Sequence, residues 1–323
     1  MNRRQFLAGS AAMTGAAALP RAEAQPSRSV TRINRKRISA ITDEIAMSPE
    51  EAIAFAKHFG LEWLELRNTP ELPHQGKPYF FLPEEDLKRA AKSFRDAGIR
   101  ISFLNTNLCK NALPGTTPIH WASHDAAWQS SHLAAAQKEY DERNERLGKC
   151  IRAAEAFKCP YIRVFTFLRT SDPAASYDRV ANIIGEMAET THKAGFMLLV
   201  ENEPACTVGD SAELVSFLKR LPERTVGFNW DARNATGLGE VPFPNGYNLL
   251  PKHRMKNVQI KGHDILDPEK PIDWTPIFAA MDADGYQGQL GLETHYFDGT
   301  RIERSHLAMD KIVKLANANS ERA

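Results

Sequence analysis

From residue 37 onward the chain alternates short, β-branched apolar runs with longer stretches of helical periodicity, and this alternation restricts the fold more than any other feature. The runs at 37–45, 61–66, 99–104, 161–167, 196–200, 225–230, 258–261 and 289–292 predict strands. Helical patterns are predicted between them, over 49–59, 83–97, 122–157, 174–194, 211–220, 274–283 and 304–316. Local punctuation agrees. Ser48 stands as an N-cap with Glu51 three residues on, Gly98 and Gly195 stand at helix stops, and Pro222 follows another. Strands this apolar are buried on both faces, which belongs to a parallel sheet wrapped by helices. Eight strand–helix units in about 280 residues are what a closed (β/α)8 TIM barrel needs. An open doubly wound sheet is the competitor, but no Gly-x-Gly-x-x-Gly follows the first strand. No linker or low-complexity run divides 37–323, so a single barrel domain is expected. The irregular stretches 68–82 and 109–120 each follow a strand, and so fall on the carboxyl face where barrels build their sites.

Residues 1–24 stand outside that pattern. They run from Arg3-Arg4 and Gln5-Phe6-Leu7 through a short Ala- and Gly-rich stretch to Ala22-Glu23-Ala24. A charged start, a weakly apolar middle and a small-residue end make an export signal rather than a fold element. Its interruptions by Gly, Ser and Thr leave it too short for a membrane span. The Arg-Arg-x-Phe-Leu order resembles the twin-arginine signal, which carries proteins out already folded, so the periplasm or the cell exterior is the expected destination. Residues 25–36 are largely polar and read as a flexible tether.

Charge and cysteine usage narrow the function. The whole chain has 41 Lys and Arg against 40 Asp and Glu, a net charge of +1. Cleavage after Ala24 removes Arg3, Arg4, Arg21 and Glu23, leaving 38 against 39 and a balance of −1. That balance forces no basic surface, so neither nucleic acid nor a membrane surface is an expected partner. Cys109, Cys150, Cys159 and Cys206 are scattered, with no Cys-x-x-Cys pair. They read as buried free thiols, with a Cys150–Cys159 bridge as the alternative in an oxidising compartment.

The predicted strand ends carry the chemistry. Strand two ends in Glu65-Leu66-Arg67, strand five in Glu201-Asn202-Glu203, strand six in Asp231, strand seven in Gln259-Ile260-Lys261-Gly262-His263 and strand eight in Glu293-Thr294-His295. Desolvating an isolated carboxylate is costly, so Glu201, Asp231 and Glu293 at successive strand ends call for a positive partner between them. A divalent cation supplies it: oxygen-rich ligation suits Mn²⁺ or Mg²⁺ first, and Co²⁺ or Zn²⁺ less strongly. The other reading pairs each carboxylate with Arg or Lys. Arg163, inside an apolar strand, is expected to act in the site or to pair with Glu65 or Glu201. Lys261 either meets a substrate oxygen or neutralises the metal carboxylates. His295 reads as a substrate contact and Glu203 as structural. His120, His124 and His132 read as a hydrated face or lid, while Trp121, Trp128 and Phe80-Phe81 suit sugar stacking and core packing equally.

With these residues in place, the chain resembles the xylose isomerase-like TIM-barrel superfamily, the sugar phosphate isomerases/epimerases, over about residues 37–317. The resemblance is carried by Glu65-Leu-Arg67, Tyr161-Ile-Arg-Val-Phe165, Leu199-Val-Glu-Asn202, Asn229-Trp-Asp231 with Asn234, Val258-Gln-Ile-Lys261 and Leu292-Glu293. It implies one divalent metal held by Glu201, Asp231, the position of Gln259, and Glu293. The family's His-x-Lys is here Gln259-Ile-Lys261, so the fourth ligand is Gln259, or His263 if the backbone curls inward. It also implies that Glu201 and Glu293 are the acid/base pair. A proton leaves carbon beside a carbonyl to give a metal-stabilised enediolate, and a proton returns on the opposite face or at the adjacent carbon. Glu65, Arg67, Asn105, Arg163, Lys261, His263 and His295 are the expected substrate-binding residues, and a homo-oligomer is expected by family analogy.

Export turns the substrate expectation toward an unphosphorylated free sugar, keto-sugar or keto-glycoside. Elimination-type cleavage of a 3-keto-glycoside begins with the same proton abstraction and stays open as an alternative. So does a sugar-binding barrel that has lost catalysis. The apurinic-site endonucleases share the barrel but use a His-rich trinuclear zinc site, for which this chain has too few strand-end histidines.

Overall fold

In the computed structural model, which describes residues 32–70, 76–269 and 271–321, the eight apolar runs become strands. They are β1 Ile38–Ala40, β2 Trp63–Leu66, β3 Arg100–Leu104, β4 Tyr161–Val164, β5 Met197–Glu201, β6 Val226–Asp231, β7 Met255–Lys261 and β8 Gln289–Glu293. Every ladder between them is parallel, and β8 pairs with both β7 and β1. An isolated parallel bridge between Ile41 and Glu65 brings the β1 edge onto β2. This is the (β/α)8 barrel that the alternation predicts. The export signal expected at 1–24, and the tether as far as residue 31, lie outside the described residues. From Ile33 the chain is packed rather than loose. Its side chain is fully buried, and its N–H donates to Asp282 Oδ1 at 2.8 Å.

The helices are α1 Thr42–Ile45, α2 Pro49–Phe59, α3 Glu84–Asp96, α4 Ala126–Asp141, α5 Arg143–Phe157, α6 Tyr177–Lys193, α7 Ser211–Leu218, α8 Ala232–Thr236, α9 Tyr247–Leu249, α10 Gly262–Leu266, α11 Trp274–Ala283 and α12 Arg301–Glu321. The α2 start is capped as its sequence predicts: Ser48 Oγ accepts from Glu51 N, and Gly60 ends the helix in the left-handed region. Two expectations need correction. The predicted strand over 37–45 stops at Ala40, and Thr42–Ile45 turns into a buried helix of one turn, too short to show a 3.6-residue period. The predicted helix over 122–157 is two helices that change direction at Glu142. Only α5 has an apolar stripe for the main core, with Leu147, Cys150, Ala153, Ala154 and Phe157 buried, whereas α4 buries Ala136 alone.

Side chains alternate along each strand. Ile38, Leu64, Ile162, Val200, Trp230, Ile260 and Leu292 belong to the large core between sheet and helices. The positions between them turn into the barrel and are largely polar: Ser39, Glu65, Arg163, Asn229, Asn257 and Gln259 are all buried. All four cysteines are free and buried, so the Cys150–Cys159 bridge is not formed.

Candidate active site

A hydrogen-bonded column fills the barrel interior, centred on the Glu65 carboxyl group, which is fully buried. The β2–β3 register shifts between Leu64 and Glu65, and the position across from its oxygens is Gly291, whose Cβ would lie 2.0 Å from Oε1. Glu65 Oε1 accepts from Ser39 Oγ at 2.8 Å and Asn257 Nδ2 at 3.3 Å. Its Oε2 accepts from Asn105 Nδ2 at 2.8 Å and Gln259 Nε2 at 3.0 Å. Asn257 Nδ2 also donates to Asn229 Oδ1 at 3.0 Å, and Asn229 Nδ2 donates to Glu201 Oε2 at 2.5 Å. Burial pushes the Glu65 carboxyl up to about 7, against the pull of Asn105, Ser39 and Asn257.

Above this column, at the carboxyl ends of the strands, lies a cluster of ion pairs. Arg163 Nη1 donates to Glu201 Oε2 at 3.0 Å. Lys261 Nζ lies 2.8 Å from Glu293 Oε2 and 2.9 Å from Asp231 Oδ2. Arg67 reaches Asp43 at 3.0 Å, Glu44 at 2.8 Å and Glu293 at 3.1 Å. Backbone geometry fixes these groups. Asp231 ends β6 and caps α8 through Oδ1, which accepts from Asn234 N at 2.8 Å and leaves Oδ2 toward Lys261. Lys261 ends β7, where its backbone N–H donates to Asp264 Oδ2 at 2.9 Å; Asp264 in turn pairs with Arg233 at 2.8 Å.

The electrostatics differ from one carboxyl to the next. Burial would raise Glu293, but Lys261, His295, Arg67 and Arg163 outweigh it and hold it well below the usual carboxylate range. Asp231 is pushed up to about 7 by burial, and Glu201 and Glu293 add to the rise that Lys261 opposes. Burial also disfavours the Lys261 ammonium, yet Asp231, Glu293 and Glu201 raise it well above its ordinary value.

The structure brings Arg67, Arg163, Glu201, Asp231, Lys261 and Glu293 to one mouth. His295 stands there too, its Nδ1 3.5 Å from Glu293 Oε1, with its backbone in the left-handed region and its N–H donating to Glu44 Oε2 at 2.7 Å. Glu65, Asn105 and Gln259 lie deeper, joined to one another inside the barrel. His263 is not beside Gln259. The strand ends at Lys261, alternation ends with it, and the His263 ring in α10 stacks on Tyr296 at 4.1 Å. Arg163 pairs with Glu201, one of its two expected partners, and Glu203 pairs with Lys110 at 2.7 Å. Trp128 is stacked between His124 and His132 on α4, while Trp121 is buried in a small apolar cluster. Sequence reasoning missed Asp43 and Glu44, which a shorter first strand would have placed at its carboxyl end. It also missed Ser39 and Asn257 and quoted Asn229 only as a carrier of the resemblance, although in the observed strands all three are polar residues on the inward-facing positions. Glu44, Glu293 and His295 each bring one ligand atom within 4.8 Å of the others, a candidate metal group among the described residues; Arg67 lies on both of its carboxylates, as Lys261 lies on Asp231 and Glu293.

Fold and site together define a barrel with an acidic, cation-braced mouth. The profile of the xylose isomerase-like TIM barrel family matches residues 53–313, and the chain belongs to that family. Residues 1–20 match the signal sequence of the TAT (twin-arginine translocation) pathway. No helix among the described residues is long and apolar enough to cross a membrane. Similar solved structures include the IolI protein with a zinc atom, at TM-score 0.65 and 12% identity over 88% of this chain and 99% of that one. An L-ribulose 3-epimerase aligns at TM-score 0.63 and 16% identity, over 88% and 96% of the two chains. A 3-keto-D-glucoside 4-epimerase from E. coli aligns at 0.62 and 11%, over 86% and 98%. At such identities the likeness is one of fold. No curated protein matches the sequence.

Proposed function

We propose that the protein is a divalent-metal-dependent isomerase or epimerase of a free sugar, keto-sugar or keto-glycoside, exported to the periplasm or beyond. The observation that carries this reading is a charge deficit. Five carboxylates at the mouth, Asp43, Glu44, Glu201, Asp231 and Glu293, face three cations, Arg67, Arg163 and Lys261. When all five are ionised, one divalent cation closes that gap. An unpartnered oxygen supports a site there: Gln259 Oε1 is buried without a hydrogen-bond partner among the described residues and Gln259 is the register partner of Asp231, while Lys261 would have to release Asp231 and Glu293 for them to ligate. Glu201, Asp231, Gln259 and Glu293 would hold the metal, with Mn²⁺ or Mg²⁺ preferred by an all-oxygen set and Co²⁺ or Zn²⁺ next. When bound, it supplies Lewis-acid polarisation of a carbonyl and its neighbouring hydroxyl.

The chain's own groups then divide the proton work. Glu293, held ionised by Lys261 and Arg67, takes the proton from the carbon beside the carbonyl. Glu201, steadied by Arg163 and Asn229, would enter this step protonated and return that proton to the opposite face for epimerisation or to the adjacent carbon for isomerisation, leaving Glu293 protonated and Glu201 ionised at its end. The substrate loses one proton and regains one, with no net redox change. Arg67, Lys261 and His295 offer charge and hydrogen bonds to its oxygens. The fold shared with epimerases supports this class, and the keto-glucoside epimerase among them agrees with an exported enzyme meeting unphosphorylated keto-glycosides. The test is deuterium uptake from heavy water by a panel of ketoses and 3-keto-glycosides, with the Mn²⁺-loaded protein. Label is expected at the carbon beside the carbonyl, and Glu293→Gln is expected to lower its rate by about 10²- to 10⁴-fold. No exchange with any panel member, together with no metal uptake, would refute the reading.

A further inference from the structure

The sequence places Glu65 among the substrate contacts, yet it lies inside the barrel with both oxygens already used. What it can do follows from the chemistry of its partners. Four donors occupy its two oxygens, so in this arrangement the carboxylate only accepts, and an amide facing it presents N–H. The Gln259 amide presents Nε2 to Glu65 Oε2 at 3.0 Å, and its Oε1 is thereby turned away from Glu65, buried and without a hydrogen-bond partner among the described residues. The same logic runs on through Asn257. One of its N–H groups faces Glu65 and the other faces Asn229 Oδ1, which leaves Asn229 Nδ2 to donate to Glu201. One buried carboxylate therefore sets the direction of four amides, Asn105, Gln259, Asn257 and, through Asn257, Asn229, and two of the chains of bonds that leave it reach Gln259 and Glu201.

We infer that Glu65 is a positioning residue that fixes the Gln259 amide with its oxygen, rather than its N–H₂, toward the divalent-metal site. This deepens the proposed function and rests on the metal reading given there. A Gln amide has nearly the same shape either way round, so packing alone does not choose between an oxygen ligand and an N–H₂ that repels a cation. Glu65 makes the choice, and Gly291 leaves the room for it. In Glu65→Gln the new N–H₂ meets N–H donors from Asn105 or Gln259, and the conflict is relieved when the Gln259 amide turns over.

Two readouts on the full chain test this. In ¹⁵N-labelled protein without metal, the Gln259 side-chain N–H₂ signal, assigned by its loss in Gln259→Glu, is expected to exchange slowly with deuterium and to shift in Glu65→Gln. By calorimetry with Mn²⁺ alone, Glu65→Gln is expected to bind about 10- to 100-fold more weakly than wild type, the usual effect of removing a group that orients a ligand. The double variant Glu65→Gln/Gln259→Glu reverses the bond, since the amide introduced at position 65 can donate to the carboxylate introduced at position 259, and is expected to recover most of the affinity. Wild-type affinity in Glu65→Gln with an unchanged Gln259 signal overturns the inference and leaves the metal reading standing. Failure of wild type to bind Mn²⁺ overturns the metal reading instead, while the amide signal still reports the placement. If Glu65→Gln does not fold, the double variant decides, and a double variant that is unfolded or fails to bind overturns the inference.

Discussion

Asp264→Asn isolates one buried charge and has an unusual sign. Asp264 is fully buried, accepts from Lys261 N at 2.9 Å and pairs with Arg233 at 2.8 Å. Burial pushes its carboxyl up to about 6 from the usual 3.8, more than Arg233 and the backbone bond pull it down. A group whose pKa is raised by folding contributes its full stability below the unfolded value and loses it as pH rises through the folded value. The loss is therefore expected between about pH 4 and pH 7, and at 1.36 kcal/mol per pH unit it amounts to about 3 kcal/mol. Asparagine keeps an acceptor for the Lys261 N–H and does not titrate. The stability of the variant relative to wild type should then rise by about 3 kcal/mol between pH 4 and pH 8. In thermal melts of a chain this long, that difference corresponds to a relative Tm gain of about 5 °C. A difference that stays flat with pH, or falls, would show that Arg233 more than offsets burial and would refute the argument.

Two other perturbations test the packing. Gly291→Ala drives a methyl group into the Glu65 carboxyl and should cost at least about 1–3 kcal/mol in urea melts. Gly148→Ala in α5, where a Cβ meets nothing within 4 Å, should stabilise by about 0.5–1 kcal/mol; equal effects at the two positions would refute the cradle around Glu65. The thiols give a third test: burial pushes Cys109 and Cys159 up to about 12, and Cys150 and Cys206 are raised by the same cause. A disulfide reagent at pH 8 should leave the folded protein unmodified for many minutes and find four thiols per chain in denaturant without reductant. Fewer than four would restore a disulfide.

The sequence carried the barrel because each strand has to satisfy the helices outside it, and that demand writes an apolar run. It also carried the mouth, since Glu201, Asp231, Lys261 and Glu293 end consecutive strands and Arg163 is a charge in an apolar context. Depth was harder to read. Glu65 sits at a strand end like the others, but a register shift against β3 and the bare Gly291 turn it into the interior, and neither cross-strand register nor facing residues are local properties. Asn229 was hidden between Phe228 and Trp230, which made its strand read as apolar, and Asn257 lay just before a predicted strand that begins three residues too late. Asp43 and Glu44 were lost inside an overextended first strand, because a single helical turn leaves no periodicity to detect.

The two apolar cores are of very unequal size, and the smaller one holds most of α4. Apart from Tyr140 in its last turn, α4 is tied down through Ala136, Trp128 and Leu133 against Trp121, Phe165, Leu168 and Cys206, a cluster separate from the main core. Phe165 and Leu168 follow β4 and Cys206 follows β5, so this cluster is built on the same loops that frame the site. The free energy of a local opening grows with the apolar surface it exposes to water, so α4, which also holds the Asn111 side chain through Ala136 O, is expected to open at lower cost than the barrel strands. Opening of this one helix is therefore expected to leave the charged mouth and the hydrogen-bonded column in place, so hydrogen exchange should find the α4 amides less protected than those of the strands.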